Sequence, residues 1–442
     1  MHDPHLHLFI NDSEILARSD LHRMVQPLRK EHGNPVLTPN QKDEGTAIGY
    51  SSMLHDPHDN RYKLWYMAHE DGLIRLATSP DAVNWTRCGF ATADEFQTRC
   101  DNLGLAPVGK RVDPFFKNAR FVGFAYYVNQ LAGDRGQGIH FLRCNDGKTL
   151  EPHLPGPLPG VGDRSSILYD HVADEYLFVS RPPRLGFRKD EPVKPRLANL
   201  WKSADLVHWD DCGVVLGHDD LDPRDVQIYG LQPFRYGRGF LGFAEIYHEA
   251  VERLDTQLVW SDDGLRWHRT IPRDPVLPLG GEGGWDTHWV VPTHNTPIEQ
   301  GDRLLVPYVA ACTKHASGKR HVRAIGLASI RRDGWVSLEA GRRPGRLVTT
   351  DLPLDRPMQL HVNVDCRSGY LQAEILHADG PNAGQPITGY EESAARIESL
   401  DATNHQITWN QNPTIAPTPT KTCRLRLTAY QASLFAYHWS PA

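Results

Sequence analysis

The chain has 442 residues, a formal net charge of −6 and 40% hydrophobic residues, enough for more than one packed core and without the basic excess of a nucleic-acid-binding surface. Its 37 Gly, 33 Pro and 11 Trp suit an all-β chain with many turns. Seven cysteines (Cys88, Cys100, Cys144, Cys212, Cys312, Cys366 and Cys423) stand singly with no CxxC, so neither a disulfide framework nor a zinc site is expected.

The N-terminal stretch MHDPHLHLFINDSE has no basic segment followed by an apolar one, and no later run approaches membrane-spanning length. The expectation is a cytoplasmic protein with no membrane partner, unless a signal peptide has been removed. His5 and His7 lie in this terminal stretch and the other histidines are scattered. No metal cluster is predicted from them.

From Thr46 onward a unit recurs: an apolar run rich in β-branched and aromatic residues, a polar break, a second run, then a turn closing on Trp. The inner runs are TAIGYSSML from Thr46, KLWYMAH from Lys63, ILYD and EYLFVS around Tyr169 and Tyr176, FLGFAEIY from Phe240 and RLLVPYVAA from Arg303. They have strand lengths and strand composition, with no sustained helical period. The closing turn reads SPDAVNW at Ser79, SADLVHW at Ser203 and SDDGLRW at Ser261, with a looser SIRRDGW at Ser329 and a weaker CNDGKTL at Cys144. Successive copies lie roughly 60 residues apart, the mark of a repeated supersecondary unit. Ser and Asp oxygens can bond the local amides of such a turn, so the motif is read as scaffold. Five copies of about four strands predict a five-bladed β-propeller.

Past Gly341 the spacing stops. RLVTTDLPL, LHVNVD, GYLQAEIL, CRLRLTAY and ASLFAYHW read as strands of a second module, with the Pro-rich NPTIAPTPTK from Asn412 as a loop within it. The predicted organisation is a propeller over 1–341 and a β-sandwich over 342–442.

A five-bladed propeller followed by a sandwich resembles the glycoside hydrolases of families 32, 43, 62 and 68. More closely, LFINDSEILARSDLHRM, NPVLTP at Asn34, DRSSILYD at Asp163 and GGWDTHWVVPTHNTPIEQGDRLLVPYVA resemble uncharacterised bacterial proteins described as family 32-like. The likeness spans nearly the whole chain and bears on fold more than on substrate. It implies a carbohydrate substrate and cleavage by two carboxyl groups, one protonating the leaving oxygen and one acting as nucleophile or base.

Acids at the heads of inner strands could meet on a propeller axis. Asp113 opens VDPFFK and is similar to the Arg-Asp-Pro motif of family 32, with Val112 in place of Arg. Asp163 stands where the family places its acid, normally Glu. Asp43 and Glu44 precede the first inner strand, at the site of the family nucleophile, without the usual Asn-Asp-Pro context. Asp286, in WDTHW, opens the fifth unit. An Asp before a strand is most often a turn residue; it is the shared phase that points to chemistry. Arg164, Gln227, Tyr229, His288 and Trp289 are candidates for contacting sugar. Glu245, inside an apolar strand, is either a structural ion pair or a pocket residue. No cofactor is expected; the ion to test first would be calcium near the axis, which arabinanase-like propellers can hold. Two other classes stay open, a carbohydrate lyase or phosphorylase and a non-catalytic carbohydrate-binding propeller.

Overall fold

The computed structural model describes residues 2–128, 138–154, 158, 161–182, 196–295, 297–315 and 322–442. Among them the regular structure is all strand, apart from two single 3-10 turns at Asp94–Phe96 and Glu392–Ala394. An all-β chain is what the alternating runs and frequent turn residues dictate.

Three four-stranded antiparallel meanders come first. They comprise Ile48–Asp56, Arg61–Ala68, Ile74–Ser79 and Thr86–Phe90; then Cys100–Pro107, Phe121–Tyr127, Gly138–Cys144 and Leu150–Pro152; then Ser166–Asp170, Glu175–Ser180, Ala198–Ser203 and Asp210–Leu216. Two further meanders share a ten-stranded sheet. Val226–Tyr236, Gly239–His248 and Arg253–Ser261 form the fourth, edged by His268–Arg269 and Pro275–Leu277. A parallel pair, Leu254 with Trp289, leads to the fifth: Trp289–Pro292, Arg303–Ala311 and Arg323–Arg331, completed by Arg29–Lys30 from near the N-terminus.

Each apolar cluster is shared between consecutive meanders. Trp65 and Leu76 pack with Leu103 and Leu142, joining the first to the second. Phe124 and Phe141 meet Phe178, joining second and third, and Leu177 and Leu200 meet Ile228 and Ile246. Phe243 and Leu258 meet Val290 and Val306. The fifth returns to the first through Leu305, Ile325 and Leu327 against Ile48, Met53 and Leu64. Both faces of each inner strand are therefore covered, which is why these strands read as continuous apolar runs.

The SxDxxxW turns behave as the sequence implies. Asp81 Oδ1 accepts the amides of Val83 and Asn84 at 2.9 and 2.8 Å, Asp205 those of Val207 and His208 at 2.9 and 2.8 Å, and Asp263 those of Leu265 and Arg266 at 2.8 and 2.9 Å. In each, the Trp indole donates to the carbonyl three residues earlier, at Ala82, Leu206 and Gly264. Those three residues carry positive φ (63°, 69° and 75°). The looser copy differs: Asp333 accepts the Tyr236 hydroxyl at 2.6 Å.

The remaining strands form two six-stranded sheets around one core that includes Leu338, Leu360, Val362, Ile375, Leu425, Leu427 and Trp439. Three of them come from the start of the chain. Leu6–Leu8 pairs with Ala432–Pro441, Ile15–Ser19 with Gly345–Thr349, and Leu21–Val25 with Val336–Ala340. The sequence reading grouped everything up to 341 together, and here it departs from the structure. The opening residues are strand partners of the chain's end, a non-local pairing that local pattern does not carry. Asn412–Lys421 runs irregularly between two of these strands.

Replacing Asp263 with Ala should orphan two amides and lower stability by about 1–2 kcal/mol, read as a lower urea midpoint with an unchanged slope. The matching turn carboxylate also makes a pH prediction. Burial works to raise the Asp205 pKa, but hydrogen bonds from His208, Val207 and Ser203 outweigh it and hold it at about 2. A depressed folded pKa contributes stability above the unfolded value near 3.9 that is lost as pH falls toward 2. Asp205→Asn should therefore weaken the acid-induced loss of stability across that window.

Candidate active site

Three inner strands carry a β-bulge at the same end. Tyr50 and Ser51 lie between the paired Gly49 and Ser52 of the first meander. Asp101 is the extra residue between Cys100 and Asn102 in the second, and Tyr229 the extra one between Ile228 and Gly230 in the fourth. A bulge breaks the alternation of side chains and re-aims one of them. Tyr50 is further held at φ 38°, a left-handed backbone that an aromatic residue adopts only when its surroundings impose it. Into the same region the third meander sends Asp163 and Arg164, just ahead of its first strand.

The floor is a buried ion pair. Arg164 Nε donates to Glu245 Oε2 at 2.8 Å and its Nη2 to Oε1, a two-point clamp suited to a carboxylate. Gln232 Nε2 adds a third donor to Glu245 at 3.0 Å while also reaching the Pro292 carbonyl at 2.7 Å. Arg164 Nη1 lies 3.4 Å from His294 Nε2. Burial, then the Arg164 charge, pushes the His294 pKa far down, so its ring is neutral and can accept. Gly230 makes room: a Cβ there would fall 2.7 Å from Glu245 Oε2 and 3.1 Å from Arg164 Cγ.

Above this floor lies a narrow, partly open cavity lined by Tyr50, Arg164, Tyr229, Trp289, His294 and Arg323, among others. Arg181 packs 4.6 Å over the Tyr229 ring and donates from Nη1 to Asp163 Oδ1 at 2.7 Å. Asp163 also takes the Arg164 amide at 2.9 Å. Asp101 and Asp163 are each partly exposed, which places them toward solvent from the sealed pair. Burial first, then the charge of Asp163, raises the Asp101 pKa to about 6, against the pull of Arg323, Arg99 and Arg181. One carboxyl group thereby holds its proton to a higher pH than an ordinary Asp, half protonated at about pH 6, beside another.

Five residues expected from the sequence do come together here: Asp163, Arg164, Tyr229, Glu245 and Trp289. Six do not. Asp113 accepts the Phe115 amide at 2.9 Å and its own amide bonds the Asp205 carbonyl; it caps a turn. Glu44 is buried by the Tyr66 hydroxyl at 2.6 Å and Arg87 Nε at 3.1 Å, and Asp43 is exposed and bonded by Asn40. Asp286 pairs with Lys30 Nζ at 2.6 Å and takes the Tyr308 hydroxyl at 3.4 Å. Its partners line no part of the cavity. Gln227 is tied up by Arg196 and by Glu249 at 2.7 Å. His288 bonds Thr287 at 2.9 Å, and burial, then Arg253 and Lys314, lowers its pKa. For the acids the physical reason is shared: an Asp or Glu beside a strand satisfies local amides and nearby cations before it reaches a distant centre.

Asp101, Tyr50, Arg181, Arg323 and His294 were not singled out from the sequence. Cys100–Asn102 carries the only available hint for Asp101, an acid at the head of an apolar strand. Among the described residues no group of three or more His, Cys, Asp or Glu side chains is placed to hold a metal ion.

No protein-family model matches the chain, and no curated protein matches it in sequence. Solved structures similar to it include an N-acetylgalactosamine deacetylase from F. plautii in complex with blood group B trisaccharide, at 12% identity and TM-score 0.47 over 71% of this chain and 96% of that one. A thermostable family-43 glycoside hydrolase gives 14% identity and TM-score 0.47 over 66% and 92%. A third, at 12% identity and TM-score 0.48 over 70% and 94%, belongs to the GH130 family of mannoside phosphorylases, described as containing glycoside hydrolases that target β-1,2 mannosidic linkages in Candida mannan. Similarity at this level assigns no activity to the chain.

Arg164→Met should cost about 3–5 kcal/mol, because Glu245 is left buried without its cation. Adding Glu245→Leu should return much of that loss. Urea unfolding of the two single variants and the double variant checks the coupling; additive losses would show that the two side chains act independently.

Proposed function

We propose that the chain is a glycoside hydrolase whose substrate enters the open end of this cavity, with Asp101 as general acid and Asp163 as the carboxylate that acts as base or nucleophile. The five meanders are read as the blades of a propeller between Arg29 and Arg331, and the two six-stranded sheets as a sandwich built from both ends of the chain. The observation that carries the reading is the Asp101 and Asp163 pair. Two acids from adjacent meanders sit together, and their environments push one toward the protonated form, the separation of roles that glycoside cleavage requires.

The other residues fit such chemistry. The walls are largely aromatic, with Tyr50, Tyr229 and Trp289, as is common at ligand sites. Asp101 donates its proton to the leaving oxygen as the bond breaks. Asp163, oriented by Arg181 and the Arg164 amide, meets the positive charge that develops on the sugar, either through water or directly.

A panel of 4-nitrophenyl glycosides and oligosaccharides tests this. Asp101→Asn is expected to lower kcat at least ~100-fold on substrates with poor leaving groups and much less on dinitrophenyl glycosides, which need no protonation. Because the acid must carry its proton, wild-type kcat should fall as pH rises through about 6, the Asp101 pKa, and this limb should vanish in the variant. A limb that persists in Asp101→Asn removes Asp101 from the role of acid. Sugar binding without turnover by the wild type would favour a carbohydrate-binding propeller instead.

A further inference from the structure

The cations of the cavity are not all used. Arg164 is spent on Glu245, as its two-point clamp shows. Arg181 is committed as well, with Nη1 donating to Asp163 and the guanidinium packed on the Tyr229 ring, outside the lining of this cavity. Arg323 is more exceptional. It is 8% exposed, no carboxylate lies within ion-pair distance of it among the described residues, and its Nε also lacks an acceptor. Its guanidinium instead lies 5.0 Å from the Trp289 ring and 5.8 Å from the Tyr50 ring.

A buried guanidinium without a counter-ion is costly, and aromatic faces return only part of the loss. The group is held there by its surroundings: the Arg323 amide bonds the Thr46 carbonyl and its backbone pairs with Ala311. Such an arrangement is stable when a ligand supplies the missing charge.

We propose that Arg323 forms an oxyanion site within the cavity, which takes a carboxylate or sulfate group carried by the carbohydrate itself. This rests on the glycoside reading above and adds its substrate class, an acidic sugar. A guanidinium fork matches a planar or tetrahedral oxyanion through paired N–H donors. The anion is assigned to the sugar and not to a free ion because Arg323 lies close enough to Asp101 for its charge to pull on that carboxyl group, so an anion held there would sit next to the acid assigned to cleavage. The acids Asp101 and Asp163 then lie toward solvent, where the rest of the glycoside would extend.

The test is calorimetric titration of the intact protein with glucuronate, galacturonate, glucose 6-sulfate, glucose and inorganic phosphate, repeated with Arg323→Gln and Arg323→Lys. At least one acidic sugar is expected to bind about tenfold or more tightly than glucose, with the preference largely lost in both variants and glucose affinity little changed. The Lys variant keeps the charge without the fork, so it serves if the Gln variant does not fold. Equal affinity for glucose and every acidic sugar would overturn the proposal while leaving the carbohydrate reading standing, as would a preference that survives in both variants. Phosphate binding that needs Arg323 without any preference for acidic sugars would assign the site to a free ion and also overturn it. Failure of every sugar to bind would sink both readings together.

Discussion

Everything at the centre of this protein depends on one pair of charges kept from water. Arg164 comes from the third meander and Glu245 from the fourth, and neither could be buried alone, since an unpaired ion in an apolar interior is far more costly than an unmade hydrogen bond. Their partners extend the constraint. Gln232 passes from Glu245 to the Pro292 carbonyl of the fifth meander, and Asn102 of the second holds the Asp163 and Ser165 carbonyls at 2.9 Å each. Ser52 of the first accepts the Leu105 amide at 3.0 Å and Asn295 Nδ2 at 2.8 Å. Polar groups from five consecutive meanders thus close on one another, and the register of each strand end is set by its neighbours.

That rigidity is what allows strain to be useful. The bulges at Tyr50, Asp101 and Tyr229 forgo ladder pairing, and the left-handed Tyr50 adds a backbone cost on the order of 1–3 kcal/mol. The apolar clusters on either side supply the stability that tolerates it. In exchange, side chains that strict alternation would bury between meanders are turned toward the cavity. Fold and site are in this sense in conflict locally and consistent globally, a pattern expected at functional positions.

Electrostatics then separates groups of like chemistry. Glu245, clamped by three donors, is a structural anion. Asp163 is oriented by Arg181 and stays open to solvent. Asp101, partly buried beside it, is pushed toward neutrality. Three carboxyl groups within one region differ because burial and partners differ, and the same accounting leaves Arg323 with no carboxylate at ion-pair distance among the described residues.

Much of this protein is legible in one dimension. The strand runs, the SxDxxxW turns and the loss of their period after Gly341 follow from local chemistry, since a Ser or Asp oxygen bonds amides two or three residues away wherever the chain stands. Local reading also points to Arg164, Glu245, Tyr229, Trp289 and Asp163, which the fold brings near one another. It failed where the deciding partner is remote in sequence. Asp113, Glu44 and Asp286 share the phase of a strand head, but nearby amides, Arg87 and Lys30 capture them first. Leu6–Leu8, Ile15–Ser19 and Leu21–Val25 find their strand partners more than three hundred residues away. A bulge of one residue at Asp101 leaves no mark in composition, because it arises from the register between two strands. The sequence by itself determined the strands and their turns, which depend on neighbours a few residues apart; which acids meet, and which cations lie beside them, was decided only when the meanders packed around a common centre.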